Sequence, residues 1–459
     1  MGFFDSRRHL VRYGIPAEQK YLLSPFLGTY DLVVINANMV SHAPSALAAF
    51  IGERTCNKPF MLDPLTHAFQ HDITLLQAED EDGTPKTDLS GNPVLRKSFD
   101  KLCEHYGEPV ASRARRGEVV QPSDFEDPGA VAEFAGRVVR FQVEVLSSYA
   151  EDKGLLEYYR FLGVSHAVRP VGVVAPYFYL EPDSLEAWLP VNVALARATA
   201  SALSDREIYA QLVVSREVLL SEASRRRLAD QYRDLPVDAV LLWVDRFDEH
   251  DASVSDLQCY LDLVERLGST LPVVSLYGSF FSTAIMRFRP DLNLVGVSHS
   301  LEYGEDRSVV PAGGGLPVSR FYYPKAFRRL RFAQALRLAR PFLASVALFL
   351  DNVCSCEVCV ELMATGPDPD RAFALYGKSH PVTFRRGSQA VTLHYPDADT
   401  RDRCVRHFMW SKGLEFGRED LTLDYVLEAL REGEGRHKSL GLSELAHCER
   451  WRRLLEPRQ

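Results

Sequence analysis

The stretch Ala239-Val-Leu-Leu-Trp-Val244 is a short, wholly apolar run that ends at an acidic residue, Asp245. Similar apolar and β-branched runs recur along the chain, and a stretch with helical character follows each of them. Short buried strands that alternate with helices are typical of parallel β/α units. The six other runs that we predict as strands are residues 31–36, 59–62, 171–175, 208–214, 272–277 and 294–299.

Seven such units indicate a closed barrel more than an open sheet, because a (β/α)8 barrel needs eight strands. We therefore predict an α/β fold, a TIM-like (β/α)8 barrel. The eighth strand is either residues 9–13 or residues 345–350, just before a cluster of cysteines.

The composition is that of an ordinary globular protein, with 459 residues, 46% hydrophobic and 25% charged. No run of 18 apolar residues is present, and residues 1–13 carry three arginines and no apolar core. We expect neither a membrane span nor a secretory signal. Eight cysteines in so long a chain favour a reduced, cytoplasmic protein with one metal site. The net charge of −9 excludes a wholly basic surface but leaves room for a local nucleic-acid-binding one.

A local basic stretch occurs at residues 320–340, which contain basic and aromatic side chains and no acidic residue. One interpretation is an amphipathic helix with a solvated basic face. The other is a surface that follows the phosphates of a nucleic acid. The candidate nucleic-acid-binding residues are Arg320, Lys325, Arg328, Arg329 and Arg331.

The segment Cys354-Ser-Cys356-Glu-Val-Cys359 places three thiols within six residues. Thiolates are strong zinc ligands, and a tetrahedral structural site needs four ligands. We favour His407 as the fourth ligand because residues 402–412 have the pattern of a rigid helix. Four protein ligands leave no open position, which predicts one structural zinc ion. The other residues that could complete the site are His380, His394 and Cys404.

These features divide the chain into three parts. We predict the barrel over residues 1–350, a zinc-binding subdomain over residues 351–417 and a helical C-terminal tail over residues 418–459. A polar insert at about residues 80–168 separates two predicted strands. Such an insert is expected on the loop face of the barrel, where barrel enzymes place their chemistry.

Three further motifs stand at or near the ends of predicted strands, and they are Phe60-Met-Leu-Asp63-Pro-Leu-Thr-His-Ala-Phe69-Gln70, Ala210-Gln211 and Ser275-Leu-Tyr277-Gly278. With the cysteine motif and His407, they resemble the tRNA-guanine transglycosylase superfamily, most of all its DNA-modifying, DpdA-type branch. The resemblance covers roughly residues 31–415. That family is a TIM barrel with a C-x-C-x-x-C…H zinc subdomain after the last strand.

The resemblance implies roles for the residues at these positions. Asp63 corresponds to a catalytic carboxylate of the family. The aromatic residue and glutamine that follow it, the second glutamine and the Tyr–Gly pair correspond to positions at which the family stacks or binds the base. The implied base-binding residues are Phe69, Gln70, Gln211, Tyr277 and Gly278.

The chain departs from the family pattern at the last barrel strand, where the family carries its nucleophilic aspartate. Here that segment reads Leu-Val-Gly-Val-Ser-His299-Ser-Leu-Glu302, and the family's guanine-reading aspartate is missing too. We therefore expect a rewired site in which Asp245 joins Asp63, with His299 and Glu302 as lesser catalytic candidates. The structural alternatives are a helix cap for Asp63, a salt bridge to Arg246 or a cap for Asp245, and core packing for the aromatic residues.

The reaction that the resemblance implies is a base exchange by double displacement at the anomeric carbon of the sugar. A carboxylate attacks as the purine leaves, and the incoming base then displaces the carboxylate. We predict an exchange of guanine in DNA for a 7-deazaguanine base such as 7-cyano-7-deazaguanine. The alternatives are the same exchange on tRNA, and a catalytically inactive zinc barrel that binds nucleic acid or a partner protein. Association as a homodimer or with partner modification proteins stays open.

Overall fold

Eight parallel strands form the centre of the fold in this computed structural model, which describes residues 2–55, 58–80, 83–150, 168–302, 306–310, 318–366, 368–386 and 389–456. The strands are β1 (Arg8–Tyr13), β2 (Leu32–Asn36), β3 (Phe60–Asp63), β4 (Gly172–Val174), β5 (Glu207–Val214), β6 (Ala239–Val244), β7 (Val273–Ser275) and β8 (Leu294–Ser300). Their order in the sheet is β3-β2-β1-β8-β7-β6-β5-β4. The first and last strands of this order meet where the Val171 N–H donates to the Phe60 carbonyl oxygen at 2.9 Å, so the sheet curls into a nearly closed barrel.

The predicted TIM-like barrel is confirmed, and the seven strands expected from the sequence are all present. The eighth strand is β1, which corresponds to the alternative at residues 9–13. The alternative at residues 345–350 is wrong, because that segment enters the helix Val346–Asn352. The Ser345 hydroxyl accepts a hydrogen bond from the Leu348 N–H at 3.2 Å and so caps this helix at its start.

Alternate strand positions point into the barrel, and most of them are apolar. The register pairs Leu10 with Leu32 and Val34 with Met61, so these four side chains share the interior face. Their outward-facing neighbours pack against the helices in a second, larger core. The interior core includes Leu10, Leu32, Val34, Met61, Val174, Tyr209, Val213, Leu241, Trp243 and Val274.

Helices surround the barrel, and side-chain caps fix where several of them begin. The Ser253 hydroxyl, for example, accepts from the Asp256 N–H at 3.1 Å at the start of the helix Val254–Gly268. The helices up to the last barrel strand are α1 (Ala37–His42), α2 (Pro44–Ala49), α3 (Lys97–Tyr106), α4 (Val110–Arg115), α5 (Pro128–Ala150), α6 (Leu185–Ala202), α7 (Arg216–Leu220), α8 (Glu222–Tyr232), α9 (Val254–Gly268) and α10 (Phe280–Phe288).

The insert between β3 and β4 is more ordered than its polar composition indicates. Helices α3, α4 and α5 lie within it. The side-chain amide of Gln142 on α5 donates to the Val174 carbonyl at 2.8 Å and accepts from the Val174 N–H at 3.0 Å. The insert is therefore anchored to β4. Residues 151–167 of the predicted insert lie outside the described residues.

The chain after the barrel begins with a β-hairpin, not with the amphipathic helix that was one interpretation of residues 320–340. Strands β9 (Arg320–Tyr323) and β10 (Arg328–Arg331) pair antiparallel, and the helix starts only at Phe332. A second hairpin joins β11 (Ser379–Arg386) to β12 (Gln389–Pro396). The helices of this region are α11 (Phe332–Ala339), α12 (Val346–Asn352), α13 (Glu357–Ala364), α14 (Pro369–Ala374), α15 (Ala398–Gly417), α16 (Leu423–Leu440) and α17 (Ala446–Leu455).

The C-terminal tail packs back onto the barrel. The Trp451 indole N–H on α17 donates to the Glu249 carbonyl at 3.1 Å, and its ring lies 5.8 Å from that of Phe281 on α10. In the part of the chain that the structure describes, no single helix has both the length and the apolar character needed to cross a membrane. The helical segments Phe332–Phe342 and Val346–Asn352 meet these criteria only when taken together, and they are bent by 117°.

Candidate functional site

The carboxyl ends of three neighbouring strands bring an acidic and a basic side chain together inside the barrel. Asp63 at the end of β3 pairs in register with Asn36 at the end of β2. The Arg12 Nη2 atom lies 2.6 Å from Asp63 Oδ2 and also donates to Asn36 Oδ1 at 3.0 Å. Asp63 Oδ1 accepts from the Tyr177 hydroxyl at 2.7 Å and from the Leu65 N–H at 3.1 Å. Asp63 is only 1% exposed, so this is a buried ion pair.

Aromatic rings surround the ion pair. The Arg12 guanidinium lies 4.8 Å from the centre of the Tyr277 ring. The Tyr277 ring is 4.8 Å from Trp243, which meets His67 edge-on at 5.5 Å. His67 in turn stacks on Tyr177 at 5.2 Å with an interplanar angle of 21°. We call Arg12, Asp63, Tyr177 and this chain of rings the barrel-end cluster.

The charges in the barrel-end cluster are fixed by burial and by the ion pair. Burial alone raises the pKa of the Asp63 carboxyl, but Arg12 and the hydrogen bond from Tyr177 outweigh it and hold this pKa below its ordinary value. Burial and the Asp63 charge hold the pKa of the Tyr177 phenol well above its ordinary value. Burial lowers the pKa of His67 to about 3. At neutral pH the carboxylate is therefore charged, while the phenol and the imidazole are neutral.

Several polar atoms on the interior face of the barrel are buried and have no hydrogen-bond partner among the described residues. They include Arg12 Nη1 and His67 Nδ1 in the barrel-end cluster. Gln211 Nε2 on β5 and Ser298 Oγ on β8 are also buried without a hydrogen-bond partner among the described residues. Buried polar atoms in folded proteins are nearly always paired with protein, water or ligand. The barrel end therefore has spare hydrogen-bonding capacity for a ligand or for ordered water.

Asp245 also lies at the carboxyl end of the barrel, but its partners differ from those of Asp63. Its Oδ1 accepts from the Val309 N–H at 2.6 Å, and its Oδ2 lies 3.2 Å from the Tyr179 hydroxyl. The predicted structural alternative, a salt bridge to Arg246, is present at 3.6 Å. Asp245 thus holds the segment after β8 against the barrel end.

His299 and Glu302 lie away from the barrel interior. The register pairs Ser300 with Arg12, so Ser300 faces inward and the preceding residue, His299, faces outward. The His299 Nε2 atom lies 2.5 Å from the Nε2 atom of His9, and both rings are buried under α15. The Glu302 carboxylate is engaged by the guanidinium of Arg401, with the Nε–Oε1 distance at 2.8 Å. Neither residue joins Asp63.

The five implied base-binding residues do not all lie in the barrel-end cluster. Tyr277 belongs to the barrel-end cluster, and Gln211 points into the barrel beside Leu241. Phe69 is wholly buried in the outer core, where its ring meets Phe99 at 6.1 Å. The other two hold the backbone around the site. The Gln70 amide bonds both backbone groups of Tyr179 at 2.7 and 2.9 Å, and the Gly278 N–H donates to the Ser298 carbonyl at 3.1 Å.

Among the five candidate nucleic-acid-binding residues, Arg328 and Arg329 have side chains that make internal contacts. Arg328 donates to the Glu444 carbonyl at 3.0 Å and to the Asp251 carboxylate at 2.8 Å. Arg329 donates to the Leu301 carbonyl at 2.8 Å, and its guanidinium lies 3.4 Å from the centre of the Phe408 ring. These contacts fasten the first hairpin to the barrel. Arg331 is exposed, while Arg320 and Lys325 are half-buried.

The three cysteines and His407 come together in one buried cluster in which all four ligand atoms lie within 4.8 Å of one another. The His407 Nδ1 atom is 3.8, 3.2 and 3.5 Å from the sulfurs of Cys354, Cys356 and Cys359. A tetrahedral ion with bonds of about 2.3 Å to sulfur and about 2.1 Å to nitrogen needs about 3.6 Å between these atoms. The cluster can therefore hold a metal ion.

Neighbouring groups orient the ligands of this cluster. His407 Nε2 lies 2.6 Å from the Tyr322 carbonyl oxygen, which leaves Nδ1 to face the sulfurs. The Tyr376 hydroxyl is 3.2 Å from the Cys359 sulfur. The alternative fourth ligands lie outside the cluster. His380 and His394 are exposed on the second hairpin, and the Cys404 sulfur faces the Tyr376 carbonyl at 3.7 Å.

Sequence reasoning did not find Arg12, Tyr177, Trp243 or His67 as members of the site. Arg12 could have been singled out from the sequence, because a charged residue within an apolar strand must have a buried partner or face solvent. The other three look like ordinary core residues in the sequence. Only the closure of the barrel brings them to one end.

Comparisons with known proteins add little to this description. No family model and no curated protein matches the chain. Among solved structures, the chain is similar to those of the xylanase TsXylA from Thermoanaerobacterium saccharolyticum. One complex with xylotriose gives a TM-score of 0.33 at 9% identity, over 66% of this chain and 86% of the xylanase. A complex with xylotetraose gives a TM-score of 0.34 at 9% identity, over 69% and 91%. The fold assignment rests on the strand order and not on this similarity.

Proposed function

We propose that the protein is a guanine transglycosylase that exchanges a guanine in DNA for a 7-deazaguanine base such as 7-cyano-7-deazaguanine. The observation that carries the proposal is the barrel-end cluster, in which an ionised carboxylate lies beside aromatic rings and unpartnered polar atoms. Aromatic faces suit a planar heterocycle, and spare hydrogen-bonding groups suit its polar edge. A base in duplex DNA reaches such a site only when it is extruded from the stack.

The chemistry of the proposed exchange centres on Asp63. As the bond between the anomeric carbon and the purine nitrogen breaks, the Asp63 carboxylate attacks that carbon, and the incoming base then displaces it. The low pKa of Asp63 suits a nucleophile or a base and not a proton donor. The departing purine takes up one proton at that nitrogen and the incoming base gives one up when it attacks, so the protons balance over the exchange and water can carry the proton between the two steps. Asp63 must loosen its contact with Arg12 during attack, because Oδ2 is engaged by that guanidinium.

We propose zinc as the ion of the cluster formed by Cys354, Cys356, Cys359 and His407. Three thiolates and one imidazole are a ligand set that zinc favours. Four protein ligands close the coordination shell, so the ion would hold α13 and α15 together and take no part in the exchange.

A direct assay tests the proposed function. Purified protein is incubated with radiolabelled 7-cyano-7-deazaguanine and either duplex DNA or tRNA, and the label retained in the polymer is counted. We expect incorporation into DNA with release of one guanine per base inserted. Incorporation into tRNA alone would reassign the substrate. No incorporation into either polymer by zinc-loaded, folded protein would refute the proposal.

One observation favours a second candidate function, a nucleic-acid-binding barrel without catalytic activity. The interior positions of β8 are Gly296, Ser298 and Ser300, so this strand offers no carboxylate to the barrel interior. Asp63 is also neutralised by Arg12. A protein that binds DNA tightly in a gel-shift assay and incorporates no base would fit this function.

A further inference from the structure

Arg12 has hydrogen-bond donors left over inside the barrel. Its Nη2 atom serves both Asp63 and Asn36, whereas its Nη1 atom is buried without a partner among the described residues. The whole side chain is 94% buried. Leaving a buried, charged donor without a partner has a free-energy cost. An acceptor from a bound molecule would remove this cost.

The surroundings of Arg12 narrow the kind of acceptor. The guanidinium lies over the Tyr277 ring, so a flat molecule in contact with Nη1 meets an aromatic neighbour. The Asp63 carboxylate already balances the charge of Arg12, so this ion pair does not itself need an anionic ligand. The partner that best fits Arg12 Nη1 is therefore a neutral hydrogen-bond acceptor on a planar ring, such as a ring carbonyl.

The unpartnered His67 Nδ1 supports the same chemistry. His67 stacks on Tyr177, which donates to the second carboxylate oxygen of Asp63, and its Nδ1 is buried without a partner among the described residues. Burial keeps the imidazole neutral, with a pKa of about 3. A neutral imidazole can accept a hydrogen bond from a ring N–H. A carbonyl for Arg12 and a ring N–H for His67 are both groups that a purine with a 6-carbonyl carries.

We infer that Arg12 is a specificity-determining residue that donates from Nη1 to the 6-carbonyl oxygen of a purine-type base. This inference rests on the proposed function and assigns the residue that selects the base. A 6-amino group at the same place would point a donor at the guanidinium and leave Nη1 unpaired. A single buried hydrogen bond from a charged donor discriminates by roughly 10- to 100-fold in affinity.

The test compares the binding of two free bases that differ at position 6. Isothermal titration calorimetry is run with hypoxanthine, which carries the carbonyl, and with adenine, which carries an amino group. We expect wild type to prefer hypoxanthine by about 10- to 100-fold. Arg12→Lys keeps a positive charge beside Asp63 but removes the planar second donor, and we expect its preference to fall below about threefold.

A matched control lies on the same strand and the same face. Arg8 is also on β1, two interior positions earlier, but its Nε donates to the Phe3 carbonyl at 2.9 Å, away from the barrel-end cluster. Arg8→Lys should keep the preference for hypoxanthine. If Arg12→Lys does not fold by circular dichroism, the double variant Arg12→Met with Asp63→Asn removes both charges together and takes its place.

The outcomes separate this inference from the proposed function. An Arg12 variant that folds and keeps the wild-type preference overturns the inference, while purine binding and the proposed function stand. Displacement of hypoxanthine by inorganic phosphate would make Arg12 an anion-binding residue and would also overturn it. A wild type that binds neither base overturns the inference as well. The incorporation assay with labelled base then decides the proposed function on its own.

Discussion

Replacing Asp63 with asparagine separates the structural role of this residue from its proposed chemical role. The amide oxygen of Asp63→Asn can still accept from the Tyr177 hydroxyl and the Leu65 N–H, which both bond Oδ1. The amide NH2 group, however, replaces the oxygen that lies 2.6 Å from Arg12 Nη2. A donor then faces a donor, and the Arg12 charge stays buried without its partner.

The expected loss of stability follows from this geometry. Removing one partner of a buried ion pair costs about 3–5 kcal/mol, because the other charge remains uncompensated. The cost also depends on pH. The pKa of Asp63 is lower in the folded than in the unfolded state, so its contribution is present above about pH 4 and is lost as the pH falls through the folded-state pKa. The difference between wild type and Asp63→Asn should therefore shrink in acid.

Urea unfolding followed by tryptophan fluorescence measures this loss at pH 7 and at about pH 3, which is below the unfolded-state pKa of the carboxyl. Asp245→Asn is the matched control, because its hydrogen bonds come from the Val309 N–H and the Tyr179 hydroxyl. Among the described residues, its salt bridge is the longer contact to Arg246 at 3.6 Å. We expect a loss of about 1 kcal/mol for this control. A loss below about 1 kcal/mol for Asp63→Asn at pH 7, or one that grows in acid, would refute the reasoning. In the incorporation assay, folded Asp63→Asn should lose at least about 100-fold in rate.

Three other changes have distinct expected results. Cys356→Ser should release the proposed zinc ion, measured by elemental analysis, and expose the C-terminal part to limited proteolysis, whereas Cys404→Ser should keep one ion per chain. Arg329→Met should lower the free energy of unfolding in urea by about 2–4 kcal/mol, because it removes charged hydrogen bonds and a close contact with an aromatic ring. Arg331 is exposed, so Arg331→Met should lower it by less than about 0.5 kcal/mol. Equal losses for the two variants would contradict this distinction. Gly278→Ala should lower the free energy of unfolding by about 1–3 kcal/mol in the same assay, because its Cβ would lie 2.7 Å from a Val297 methyl carbon. Unchanged stability would show that the backbone or Val297 moves to make room for the new methyl group.

The metal cluster shows how far local sequence can predict a site. Three ligands within six residues are fixed by the covalent chain, so their proximity needs no knowledge of the fold. His407 was one of four candidates for the fourth position, and the helix pattern around it favoured the correct one. Its position opposite the sulfurs depends on the packing of α15 against β9, where the Tyr322 carbonyl holds the other ring nitrogen.

The catalytic candidates show which features of a site local sequence does not predict. Sequence analysis placed Asp63 and Asp245 correctly at strand ends, since a parallel strand delivers its last residue to one end of the barrel. It also treated His299 as a barrel-end residue, although the register turns this side chain outward. Whether a strand residue points in or out alternates at every position, so a shift of one residue reverses the answer.

The amino-acid sequence alone predicted seven of the eight barrel strands, their order along the chain and the proximity of the three cysteines, because strand periodicity and short spacings are local properties. It left the eighth strand open between residues 9–13 and 345–350. Tertiary structure alone decided that Arg12 pairs with Asp63, two side chains 51 positions apart in the chain. It also decided that Glu302 pairs with Arg401, 99 positions away. The first contact depends on the register of β1, β2 and β3, and the second depends on how α15 packs against the barrel. No local pattern encodes either of them.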